Sequence, residues 1–168
     1  MNSNPASAAR SGGRDILAAA LRASRQRTLA LLDAYVEKLG EALVVPYSTQ
    51  LNPPLWEAGH VAWFQDYWVT RNKQRGRGIR ADPEYARPDG RLPQADALYN
   101  SSHVPHATRW ALPLPDLSAT RGYLAASFAE TLALLADTPE TDDDLYFFRL
   151  ALFHEDMHGE AAVYMAQA

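Results

Sequence analysis

The sequence predicts an all-α fold: a four-helix bundle with one long crossover between its second and third helices. Three observations carry this. Apolar residues recur at helical spacing over four segments. Strand-like alternation of apolar and polar residues is nearly absent. Between the second and third helical segments, residues 74–117 are interrupted by Pro83, Pro88, Pro93, Pro105, Pro113, Pro115, Gly76, Gly78 and Gly90, which break helices. A bundle joined by one such connection is an established arrangement of four helices.

Residues 1–14 are rich in Ser, Asn, Ala and Gly and lack an apolar signal core, and are read as a disordered tail on a cytoplasmic protein. Residues 15–168 form the bundle, a single domain for a chain of 168 residues. The first helix is expected over 15–43, with Asp15 as its cap. Leu17, Leu21, Thr28, Leu31, Leu32, Tyr35 and Leu39 lie along one side, and Arg22, Arg27, Glu37 and Lys38 along the other. Asn52 is the expected cap of the second helix, over 54–73, with Pro53 and Pro54 in its first turn. Trp56, Trp63, Phe64, Tyr67 and Trp68 make this helix apolar over much of its surface, which places it mid-bundle or beside a pocket.

Within the crossover, residues 74–91 read as mobile and basic. Residues 95–110, with Tyr99, His103, His106 and Trp110 close together, read as ordered. The third helix is expected from Ser118, its cap, to about Ala136. The fourth starts near Asp142, where three aspartates suit the positive end of the helix dipole.

Composition excludes several functions. A net charge of −4 offers no basic surplus to neutralise nucleic-acid phosphates. No apolar run approaches the roughly 20 residues that span a bilayer. With no cysteine, a metal must be held by nitrogen and oxygen donors, which suits Fe, Mn, Ni or Zn.

Metal chemistry is indicated by His154 and His158 in Phe153-His154-Glu155-Asp156-Met157-His158-Gly159-Glu160. Histidines four apart share one helix face, so both imidazoles can close on one ion. If the second and fourth helices face each other, His60 supplies a third ligand. The bland alternative puts the pair on a polar face and makes His60 a hydrogen-bonded core residue. Against it, Leu150, Phe153, Met157, Ala161 and Met165 set the pair beside an apolar stripe, where unpaired polar groups are costly. Glu155 and Glu160 are candidate partners of the ligating histidines, and the geometry of the helix points Glu160 away from them. Trp56, Trp63 and Phe64 read first as core. His103 and His106 rank below the helical histidines as ligands.

Three segments resemble the N-terminal, DinB-like domain of the ergothioneine-type (or selenoneine-type) non-haem iron sulfoxide synthases. Asn52-Pro53-Pro54-Leu55-Trp56-Glu57-Ala58-Gly59-His60-Val61-Ala62-Trp63-Phe64-Gln65 is similar to that domain's second helix. Asp96-Ala97-Leu98-Tyr99-Asn100-Ser101-Ser102-His103-Val104-Pro105-His106 resembles its loop segment, and residues 146–160 its His-x3-His-x-Glu helix.

The resemblance implies a DinB-like bundle holding Fe(II) through His60, His154 and His158, with Zn or Ni as alternatives. It implies O2-dependent joining of a thiol or selenol donor to the imidazole of hercynine. Trp56, Trp63, Phe64, Tyr99, His103 and His106 become candidate pocket residues. Members of that family continue into a second domain resembling the formylglycine-generating enzyme. With that domain absent, the chain alone is expected to show little activity and to expose an aromatic surface through which a homodimer can form. The rival readings are a standalone DinB-like thiol transferase or isomerase, and a noncatalytic interaction bundle.

Overall fold

Helices form where the apolar periodicity lies, and local chemistry sets their ends. The computed structural model describes residues 5–167, and among them no strand occurs. A short helix, α1 (Pro5–Ser11), stands within the segment expected to be a disordered tail, while residues 1–4 lie outside the described residues. Alanines favour helix here, Ala9 is buried, and Arg14 just beyond anchors the segment. The Arg14 backbone N–H donates to Glu140 Oε1 (2.7 Å) and its guanidinium to the Ala136 carbonyl (2.6 Å).

α2 (Arg14–Leu39) is preceded by Gly13 rather than capped by Asp15, which lies in its first turn. It stops short of residue 43 because Gly40 takes a positive φ of 77° and its N–H closes on the Val36 carbonyl. α3 (Pro54–Gln65) starts after Pro53, and the Asn52 side chain is drawn away from capping by Glu57. One π-helical turn, Asp66–Thr70, ends it before residue 73.

The crossover is more structured than its composition predicts. A 3₁₀ turn, Arg75–Arg80, packs on the last helix: Gly78 has φ 55°, a Cβ there would strike Asp143, and Arg80 pairs with Asp143. The stretch expected to be mobile is therefore docked over this part. The ordered half contains α4 (Ala95–Tyr99) and a 3₁₀ turn, His106–Thr108.

α5 (Leu117–Ala136) is capped by Asp116, which accepts from the Ala119 N–H at 2.8 Å, so Ser118 lies inside the helix. α6 (Asp142–Met165) is capped by Thr141, with Asp142, Asp143 and Asp144 in its first turn as the dipole favours.

α3 packs between α5 and α6, and α2 packs on α6. One apolar cluster gathers around α3 through Trp56, Val61, Trp63, Tyr99 and Leu124. A second joins α2 to α6 through Leu17, Leu21, Phe148 and Leu152. Each such side chain contributes about 1.5–3 kcal/mol by leaving water. Arg25 ties the four long helices together. It donates to Glu155 Oε1 on α6 (2.7 Å), Gln65 Oε1 on α3 (3.0 Å) and the Leu124 carbonyl on α5 (2.5 Å).

Candidate metal centre

His60 sits in the middle of α3, and His154 and His158 lie one turn apart on α6. The packing of α3 on α6 brings the three imidazoles together. His154 Nε2 is 3.1 Å from His60 Nε2 and 3.2 Å from His158 Nε2. One ligand atom from each of the three lies within 4.8 Å of those of the others, a group that can hold a metal ion.

Neighbouring groups fix the orientation of the rings. His60 Nδ1 is 2.8 Å from the Tyr99 carbonyl, which can only accept, so Nδ1 carries the proton and Nε2 presents a lone pair. His158 Nδ1 donates to the Glu57 carboxylate in the same way, which frees its Nε2. Aromatic rings hold the planes. Trp56 stacks on His60 at 4.8 Å, and Phe64 stacks on His154 at 3.5 Å. A Cβ on Gly59 would overlap the Tyr99 ring, so glycine beside His60 lets α4 approach and deliver the Tyr99 carbonyl. Asp96 at the start of α4 accepts from Trp63 Nε1 (2.7 Å) and from both terminal nitrogens of Arg71 (2.8 Å each), which pins α4 to the end of α3.

Burial, and then the neighbouring His158, push the His60 pKa down to about 4. The same two causes, with His60 added, take His154 to about 2. Both rings are neutral at physiological pH, as ligation requires. Burial works to raise the Glu57 pKa, but hydrogen bonds from His158 and Asn52 outweigh it and hold Glu57 ionised.

A metal ion fits this donor set. Two lone pairs, on His60 and His158, converge with His154 Nε2. One proton on His154 can serve only one of them well, whereas a cation at the centre serves all three nitrogens. Open positions on such an ion would face the adjoining cleft, a space of about 570 Å³ lined by Trp56, Trp63, Phe64, Tyr67, His103 and Arg109 among others.

A family profile adds an independent line. It describes the DinB superfamily and matches residues 20–165. The chain belongs to the DinB superfamily. This DinB chain is also similar to the hercynine oxygenase of Mycolicibacterium smegmatis, with 31% identity over 147 residues, covering 88% of this chain and 31% of that one. It is 30% identical over 145 residues to the hercynine oxygenase of Mycobacterium tuberculosis, covering 86% of this chain and 30% of that one. The match thus spans about a third of the length of these curated relatives.

Not every residue singled out from the sequence of the DinB chain reaches the centre. Trp56, Trp63, Phe64 and His103 line the cleft. Tyr99 lies behind His60 and acts through its carbonyl. His106 turns away, with Nε2 2.7 Å from the Leu51 carbonyl and its ring against Trp110. Glu155 is no partner of the histidines: Arg25, Thr28 and Gln65 occupy its carboxylate. Glu160 is exposed, as helix geometry dictates. Phe153 and Met157, read as part of an apolar stripe, are exposed too, because the buried face of α6 runs through Phe148, Ala151, Leu152 and Glu155.

Two residues of the DinB site escaped the sequence reading. Glu57 is three positions before His60 and therefore on its face, a spacing that marks it as a candidate. Arg109 lies 3.9 Å above the Trp56 ring and donates to Asn52 Oδ1 at 2.7 Å. It comes from a loop, where no periodicity points to it.

Proposed function

We propose that this chain is the metal-binding domain of a non-haem Fe(II), O2-dependent enzyme that forms a carbon–sulfur or carbon–selenium bond on hercynine. The observation that carries the reading is the convergence of three imidazole nitrogens, two with their other nitrogen tied to an acceptor, at the floor of an aromatic cleft. Membership of the DinB superfamily and similarity to hercynine oxygenases support it.

In this reading His60, His154 and His158 hold Fe(II) through Nε2, and Glu57 and the Tyr99 carbonyl keep the His158 and His60 rings in the ligating tautomer. The bound iron supplies the redox chemistry with O2. The chain binds and orients. The aromatic lining of the cleft suits the trimethylammonium group of hercynine by cation–π attraction, worth about 0.5–2 kcal/mol. Arg109, in the same cleft, carries a charge that attracts a substrate carboxylate. The buried aromatic wall limits water at the ion.

The test uses protein loaded with Co(II), whose visible bands report its ligands. Hercynine is expected to shift those bands at lower concentration than histidine, which lacks the quaternary ammonium. Bands that ignore hercynine at millimolar concentration would remove the substrate assignment.

A further inference from the structure

A second, smaller pocket of about 40 Å³ lies on the other side of the Glu57–His158 pair from the open cleft, between α2, α3 and α6. Its walls include Leu31, Leu32, Ala58, Val61, Ala162 and Met165, none of them exposed. The space exceeds the roughly 10–15 Å³ one water needs, so size does not keep water out. The lining does. Every polar side chain there already has its partner within the protein. Tyr35 donates to the Ala162 carbonyl at 2.7 Å, and Thr28 donates to Glu155 at 2.8 Å. Glu57 accepts from Asn52 and His158. The surface that faces the pocket is almost wholly apolar, so a water there would find few of the two to four hydrogen bonds that hold buried water in place, and an apolar occupant is favoured.

This pocket has an apolar approach from outside. A groove of about 750 Å³ runs between the C-terminal half of α2 and the Val45–Leu51 loop, and it shares Leu31, Tyr35 and Met165 with the pocket as a common wall. The groove adjoins the pocket at these three side chains, and the pocket ends on Glu57 and His158, one imidazole from the point where the three nitrogens meet.

We infer that the pocket is a binding site for an apolar, gas-sized molecule, dioxygen, and that the groove is its entry route, separate from the polar cleft that takes the organic substrates. The choice of dioxygen among apolar gases rests on the oxygen-dependent reading above. The existence of an apolar gas site does not.

Dioxygen is paramagnetic, so it can be located without turnover and without iron. The probe is dissolved O2 at several bar over the Zn(II)-loaded chain, read by NMR relaxation of assigned methyl groups. Methyls of Leu32, Ala58, Val61 and Ala162 are expected to relax at least threefold faster than those of Leu17 and Leu152 in the other apolar cluster. In Ala162→Leu or Ala58→Val, whose added methyls fill the pocket, the excess is expected to vanish while the Leu17 and Leu152 signals stay in place. Xenon under pressure, as a second probe, is expected to occupy the same pocket in a crystal. Equal relaxation in both clusters of the unsubstituted protein, or ordered water in place of xenon, would overturn the inference. A gas signal in the pocket of a chain whose Co(II) bands ignore hercynine would instead keep the pocket and refute the hercynine reading.

Discussion

His154 and His158 differ from His103 and His106 in what surrounds them rather than in chemistry. The helical pair is confined by α3 and stacked rings, while His103 is exposed and His106 is committed to a backbone carbonyl. His154→Ala or His158→Ala is therefore expected to abolish tight Fe(II) or Co(II) binding, and His103→Ala or His106→Ala to change it less than about threefold. Calorimetric titration of the four variants decides this, and equal losses in all four would place the loop in the primary site.

Glu57 acts one step further out. Glu57→Gln keeps the shape but removes the carboxylate that fixes the His158 tautomer, so metal affinity is expected to fall about 10–100-fold. Helicity by circular dichroism should be unchanged, which separates this loss from misfolding. The His154–His158 spacing was legible in the sequence because a helix converts i, i+4 into one face. The tie from Tyr99 to His60 was not, because it is made by a backbone carbonyl, which leaves no mark on side-chain identity.

At the scale of elements, the four long helices were visible in their apolar periodicity, and errors gathered at their ends. Asp116 rather than Ser118 caps α5 because its carboxylate reaches the Ala119 N–H, one of two choices two residues apart that composition could not separate. The crossover was read as largely irregular, yet Gly78 and Asp143 lock one part of it to α6 through a contact between residues distant in sequence. Glu155 shows the same limit. Its position beside His154 invited a role at the metal, but it faces α2, where Arg25 is nearly as buried as Glu155 itself, with side chains 5% and 0% exposed. Removing one partner of such a pair strands the other charge. Glu155→Ala is expected to destabilise the fold by about 3–5 kcal/mol. Urea unfolding measures this, and a loss under about 1 kcal/mol would show that water reaches Arg25 in the folded chain.

Across the whole molecule, the centre joins α3, the hub of one apolar cluster, to α6, the hub of the other. An ion held by both helices binds the folded chain far better than the unfolded one, so it stabilises the fold by mass action. Free metal at 100 times its dissociation constant adds about 2.7 kcal/mol. A rise in melting temperature with Fe(II) or Zn(II) under anaerobic conditions, reversed by a chelator and absent in His60→Ala, is the expected sign. A metal-dependent rise that survives His60→Ala would show that α3 takes no part.

The central claim is that one ion is held by His60, His154 and His158 together. X-ray absorption at the iron edge, on anaerobic protein loaded with one equivalent of Fe(II), tests it most directly. The account predicts one tightly bound iron per chain, with three imidazoles in its first shell and one fewer in each single histidine variant. Iron that stays loosely bound, or a first shell of oxygen donors unchanged by His60→Ala, would contradict it.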